Sequence, residues 1–207
     1  MTGLVTLALL AGLVALTPVI TALFGRASGW LIGAAYVAAA IAFIPATQAV
    51  LAGDTPEWAL PWMPSFNVEL AFRIDGIGVV FTHIALLIGA AVLFYSTHYL
   101  DKGRNLSFYW LMVAFTFSMV ALVLTNDLVV LFIAWELTSL ASFMLIARSG
   151  SSGEAPSFRT LLITFIGGVL LLVAVGFIIA FTGTTNIFAA LTDPFWAANP
   201  AAATAVA

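Results

Sequence analysis

The 207-residue sequence contains no cysteine, which excludes disulfides, thiolate metal sites and cysteine-ligated iron–sulfur clusters together. Charge is almost as scarce. Only 7% of residues are Asp, Glu, Lys or Arg, against ~25% in a typical soluble domain, while 63% are hydrophobic and the mean hydropathy is +1.17. No lysine or arginine precedes the first apolar run, MTGLVTLALL, which argues against a cleaved signal peptide and for a retained first span. Also missing are a glycine-rich phosphate loop, a zinc-ligand spacing, a basic aromatic patch for nucleic acid, and a Ser/His/Asp set at one level of the chain.

What remains is lipid-soluble helix. A bilayer core of ~30 Å needs roughly 20 apolar residues per helix, and about six such runs occur, near 4–24, 29–51, 75–99, 107–125, 128–147 and 159–181. Backbone groups in lipid must be satisfied within the segment, and these runs lack the alternation of barrel strands. The expected class is an all-α polytopic membrane protein of about six transmembrane helices plus the start of a seventh, one helical region over 1–207. The ending NPAAATAVA reads as that start, so the chain is expected to be the N-terminal portion of a longer polypeptide.

The few basic residues set a sidedness. Arg26, Lys102, Arg104, Arg148 and Arg159 lie in alternate breaks, and Arg73 is the lone cation of the others. The positive-inside rule then places loops 25–28, 101–106 and 148–158 in the cytoplasm and the N-terminus outside. Residues 52–74 form an extracytoplasmic loop. Its end alternates Val68, Leu70, Phe72 and Ile74 with Glu69, Ala71 and Arg73, the period of a short strand with one face on the protein. Residues 182–200 form a second outer connector with one short helical turn.

One acid stands apart. Glu136 follows Asp127 by nine residues in DLVVLFIAWELTSLASFMLIARSG, roughly 14 Å below the outer boundary and near the middle of the core. An acid at such a depth costs ~2.5–3.5 kcal/mol on insertion scales, so its default reading is functional, and a group that takes up and releases protons is the chemistry expected. Ser139 lies about 60° from it on the same side, with Thr138 and Ser142 on a neighbouring stripe. The alternative is a structural acid that holds two helices together through a hydroxyl.

The other ionisable groups carry weaker signals. His83, ~12 Å deep in the third run, sits at nearly the level of Glu136, where it either shares a proton path or is satisfied by a backbone carbonyl. His98 near the cytoplasmic end is either an entry group or an interfacial residue, the second being favoured. Asp127 and Asp75 begin helices and suit N-caps, with Thr125 and Asn126 completing the turn at Asp127. Arg148 marks the cytoplasmic boundary and can steady the end of the Glu136 helix through its dipole. Pro18 and Pro45 are expected to kink the first two spans, and Gly167–Gly168 to permit close packing in the sixth.

The string LTNDLVVLFIAWELTSLASFMLIA (124–147) resembles the fifth-helix signature of antiporter-like membrane subunits, a family that includes Mrp-type multisubunit Na⁺/H⁺ antiporters, proton-pumping subunits of respiratory complex I and energy-converting hydrogenases. FRIDGIGVVF and LFYSTHYL resemble the third-helix region of the same family. WELTSLASF and the outer WALPWMPSFNVELAFRIDG stretch are similar to the Mrp-type A subunit. The resemblance implies that Glu136 is the family's proton-relay glutamate. It further implies a secondary transporter subunit rather than an enzyme, moving H⁺ and Na⁺ without a cofactor, beside other membrane subunits in a prokaryotic plasma membrane. A family module pairs that glutamate with a seventh-helix lysine, which lies past the end of this chain. Two alternatives stay open: a proton-pumping subunit of a redox-driven complex, and a non-transporting scaffold.

Overall fold

The computed structural model describes residues 2–64, 68–100, 105–148 and 150–206. The chain begins with α1 (Thr2–Phe24) and α2 (Ser28–Leu51), joined by a single 3₁₀ turn at Gly25–Ala27. Gly25 has φ +57°, a conformation that side chains disfavour, and the Ser28 hydroxyl donates to Gly25 O at 2.6 Å. The result is an antiparallel pair: Gly3–Leu51 is one apolar stretch of 49 residues, more than twice what a ~30 Å core accepts, and α1 packs back on α2. With the four further apolar runs among the described residues this makes six spans. Both helices continue through their internal prolines, Pro18 and Pro45.

A β-hairpin separates the first pair from the rest. Strand β1 (Glu57–Met63) pairs antiparallel with β2 (Val68–Arg73), Glu57 facing Arg73 and Trp58 facing Phe72. The Trp58 and Phe72 rings stack at 5.3 Å, and Arg73 forms an ion pair with Glu57. The sequence pattern foresees β2 but gives no sign of β1, whose Pro61 adjoins the break in register before Met63. Nor is β2 two-faced as its alternation suggests. The buried positions are Val68, Ala71 and Ile74, while Leu70 and Phe72 are half-buried against an apolar crevice shared with Leu4 and Leu7 of α1. The far edge of β2 is also covered, because Ala71 O accepts from Asn126 N at 2.7 Å.

Helix α3 (Gly76–Tyr99), α4 (Asn105–Leu124), α5 (Leu128–Ala147) and α6 (Ser151–Thr182) complete the spans. The α6 helix opens eight residues before the expected 159, so most of the 148–158 loop is helical, Pro156 included, with Gly150 at φ +72° turning the chain. The basic break holding Lys102 and Arg104 lies outside the described residues. Beyond Thr182 come α7 (Ile187–Leu191), α8 (Pro194–Ala198) and α9 (Pro200–Val206), so the connector carries two short helices where one turn was expected.

Packing is uneven. Helices α1, α2, α3 and α4 form a closed cluster, α5 leans on α4, and α6 leans on α5. The main core, with Leu10, Ile32, Tyr36, Phe43, Leu86, Leu93 and Tyr109 buried, belongs to the cluster. Glycines let its backbones meet: Gly29 lies against Leu93 O and Tyr109, Gly33 against Phe94, and Gly89 against Tyr36. Without a hydrophobic drive between helices in lipid, such close van der Waals contact is what holds spans together. Hydroxyls are quenched locally, Thr17 donating to Leu13 O at 2.6 Å and Ser118 to Ala114 O at 2.8 Å.

The two ends of the bundle are chemically distinct. At one, Tyr109 Oη donates to Arg26 O at 2.8 Å, Arg148 bonds Ser107 Oγ, and His98 stands edge-on to Trp30. At the other lie the hairpin, Asp75, Asn126, Asp127 and the α6–α7 connector, where Leu128 N donates to Thr185 O at 2.8 Å.

Candidate functional site

Glu136 sits in the middle of α5, and its carboxyl turns toward α6, not toward the cluster. It lies against Gly168: a Cβ built at that glycine would collide with Glu136 Oε1 and stand 3.1 Å from Cδ and 3.7 Å from Oε2. Oε1 is buried and makes no hydrogen bond, one of two such side-chain oxygens among the described residues. A buried polar atom without a partner is unfavourable and calls for a specific explanation.

The hydroxyls on the same helix are engaged elsewhere. Thr138 Oγ1 donates to Trp135 O at 2.7 Å and Ser139 Oγ to the same carbonyl at 3.2 Å. Each i−3 or i−4 bond satisfies its own hydroxyl, so neither holds the acid. The other orphaned oxygen is Thr82 Oγ1 in α3, wholly buried beside His83.

His83 is placed on a different interface. Its Nδ1 faces Val79 O at 2.9 Å, and since a carbonyl can only accept, Nδ1 carries the proton. The ring packs on Phe43 of α2 at 5.6 Å. Helix α4 packs on both α3 and α5, so His83 and Glu136 occupy separate seams, α2–α3 and α5–α6. His98, at the end of α3, is exposed, with Nδ1 2.9 Å from Thr97 Oγ1.

Two aspartates hold helix starts. Asp75 Oδ1 accepts from Gly78 N at 2.7 Å, and Asp127 Oδ1 accepts from Val129 N at 2.9 Å and Val130 N at 3.0 Å. Asp127 is 1% exposed, and its own N–H donates to Thr125 Oγ1 at 3.2 Å. Asn126 beside it is a clasp that sequence spacing does not suggest. Its Oδ1 accepts from Phe188 N at 3.0 Å, its backbone carbonyl from Ile187 N at 2.9 Å, and its Nδ2 donates to Asn186 Oδ1 at 3.4 Å. The α4–α5 break is thereby tied to both the hairpin and the α6–α7 connector. Arg148, at the other end of α5, bonds Ser107 and lies over the Phe108 ring at 5.8 Å, fastening α5 to the start of α4.

Gly168 is the residue that sequence reasoning left without a role of its own. The Gly167–Gly168 pair signals close packing, and the structure splits the pair: a Cβ at Gly167 would meet nothing within 4 Å, whereas Gly168 alone faces the carboxyl.

An apolar bundle with one mid-helix acid turned to a neighbouring helix defines a polytopic membrane protein, and known proteins of that class align with it. Residues 125–205 match the family described as NADH:quinone oxidoreductase/Mrp antiporter, TM, and residues 58–110 the family described as NADH-Ubiquinone oxidoreductase (complex I), chain 5 N-terminus. The chain belongs to this antiporter-like family of membrane subunits, and within it matches the N-terminal portion of an Mrp-type A subunit. The Staphylococcus haemolyticus protein named "Putative antiporter subunit mnhA2" is 37% identical over 172 residues, 81% of this chain and 22% of that protein. Its Staphylococcus aureus counterpart of the same name (strain MRSA252) is 35% identical over 164 residues, 77% of this chain and 20% of the relative. The chain thus spans about a fifth of the length of the curated relatives it matches.

Among solved structures, the Mrp complex from Dietzia sp. DQ12-45-1b superposes with a TM-score of 0.92 at 40% identity, covering 100% of this chain and 22% of that one. Respiratory complex I from Thermus thermophilus superposes over 87% of this chain and 38% of its own with a TM-score of 0.63 at 20% identity, a likeness of fold alone.

Proposed function

We propose that this chain is part of a subunit of a multisubunit monovalent cation/proton antiporter, working beside other membrane subunits, and that Glu136 is a proton relay within it. The observation that carries the reading is the Glu136 carboxyl, lodged mid-span on the α5–α6 seam with Oε1 buried and unpartnered. An acid serving only as glue would bond its neighbours, yet the adjacent hydroxyls bond Trp135 O instead. Both matched families also take in subunits of redox complexes, but the identity of 37–40% to Mrp-type proteins, against 20% to the complex I chain, favours an antiporter over the proton-pumping arm of a redox complex. Transport of Na⁺ against H⁺, with no resident cofactor, follows from that kinship.

Glu136→Gln keeps shape and hydrogen bonding but removes titration. In the assembled complex, Na⁺-dependent dissipation of an imposed pH gradient should collapse while complex abundance stays normal, and Glu136→Asp should retain part of the rate. Near-normal flux for the glutamine variant at normal abundance excludes the relay and leaves a scaffold.

Orientation belongs to the same proposal: a multi-pass protein of a prokaryotic plasma membrane with the Arg26 and Arg148 end in the cytoplasm and the hairpin outside. The cysteine-free chain suits labelling. Arg26→Cys should react with an impermeant maleimide only in opened cells and Asp54→Cys in intact ones; the reverse pattern inverts the topology.

A further inference from the structure

The unpaired Oε1 raises the question of what keeps the Glu136 carboxyl where it is, since no hydrogen bond holds that oxygen. The seat lies on α6. Gly168 is buried, whereas Ile166, Val169 and Leu170 around it are exposed, so the position that α6 turns to Glu136 carries no side chain. Backbone conformation does not demand glycine there, because the positive φ angles fall at Gly25, Gly53, Gly150 and Gly183. Space does demand it. A Cβ at 168 would run into Oε1 with Cδ 3.1 Å away, while a Cβ at Gly167 or Gly176 would meet nothing within 4 Å. Glycine inside a helix is conformationally expensive relative to alanine, and at 168 the gain that offsets it is room for a carboxyl.

We propose that Gly168 is a positioning residue for Glu136: the space left by its missing side chain is the seat of the relay carboxyl, and fixes the carboxyl on the α5–α6 seam. The inference rests on the relay reading of Glu136. It differs from ordinary helix packing in which atom must give way. The glycines of the cluster face backbone and rings, as Gly29 faces Leu93 O, so a methyl there separates helices. Gly168 faces the far end of a flexible side chain. A methyl at 168 leaves the helices together and turns the carboxyl out of its seat, and proton transfer, which requires hydrogen-bond reach, fails for want of position.

The test is made in the assembled complex containing the full-length subunit, reading Na⁺-driven collapse of an imposed pH gradient over a series of pH values, with abundance measured in parallel. Gly168→Ala should assemble normally and exchange about 10- to 100-fold more slowly, with a displaced pH profile, because the carboxyl is then held in a different place. Gly176→Ala should match the parent protein. Adding Glu136→Asp, which withdraws the carboxyl by one methylene, should raise the rate above that of Gly168→Ala alone, although the aspartate slows the parent. If Gly168→Ala lowers abundance, adding Glu136→Ala should restore it, since the colliding group is gone.

Parental rate and pH profile in Gly168→Ala, alongside a dead Glu136→Gln, overturn the seat and leave the relay standing. A loss that Glu136→Asp does not relieve, or an abundance that Glu136→Ala does not restore, assigns the glycine to helix packing and overturns it equally. Normal flux in Glu136→Gln removes the relay itself, and the seat with it.

Discussion

The α1–α4 cluster and the α5–α6 pair are built from similar residues and packed to different ends. In the cluster, glycines admit aromatic rings and backbone carbonyls, and Tyr36, Phe43 and Tyr109 are fully buried. In the pair, the glycine in contact with α5 admits a carboxylate, and α6 leaves Ile163, Phe165, Ile166 and Leu170 exposed. Close contact serves cohesion in the first region and, in the seat proposed above, the placement of one acidic side chain in the second. A relay of the kind proposed needs a site that tolerates a change of protonation, which a jigsaw core of rings and aliphatic side chains does not offer.

Substitutions can break that contrast, and the largest effect is expected at Gly29. A valine there meets Leu93 O, Thr97 and Tyr109 on a backbone that cannot retreat, so overpacking should cost about 1–3 kcal/mol or more and lower both complex abundance and melting temperature. The same change at Gly176 should leave both untouched. Equal losses at the two positions would erase the distinction between cluster and pair.

The Asn126 clasp comes next, since it joins the two regions. Asn126→Ala strands Phe188 N, while Asn186 Oδ1 keeps Ala189 N as its donor, so the penalty of about 1–3 kcal/mol comes from one orphaned amide and is read as a lower melting temperature and faster amide exchange at 185–190. Unchanged exchange there would mean that the connector is held by other contacts.

Asp127→Ala removes the acceptor for Val129 N and Val130 N and should cost about 1 kcal/mol, whereas Asp127→Asn keeps an oxygen at the cap and should be nearly silent. That ranking separates a cap from a charge: loss of transport in the asparagine variant at normal stability would give Asp127 a part in ion movement. The smallest effect belongs to the hairpin. Glu57 is 47% exposed in its pair with Arg73, so Glu57→Gln should shift stability by less than about 1 kcal/mol, and less again at high salt.

Much of this molecule is legible in its residues because lipid simplifies the problem. With water absent, backbone bonding forces helices and ~30 Å fixes their length, so six spans follow from composition and spacing, and the depth of Glu136 from a rise per residue. Aspartates ahead of apolar runs mark Asp75 and Asp127 as helix starts for an equally local reason. Strand β1 was not legible, because a short segment with Pro61 becomes a strand only when β2 is beside it. The true start of α6 was hidden by Pro156, which suggests an end where the helix merely passes. Depth along a helix is local, but azimuth is not. That His83 faces Phe43 while Glu136 faces Gly168 depends on which helix lies next to which, and a sequence in which nearly every face is apolar carries no moment to announce it. The sequence by itself determined that an acid lies mid-membrane; tertiary packing alone decided that a missing side chain on α6 makes room for it, because that contact joins residues 32 positions apart across two helix surfaces.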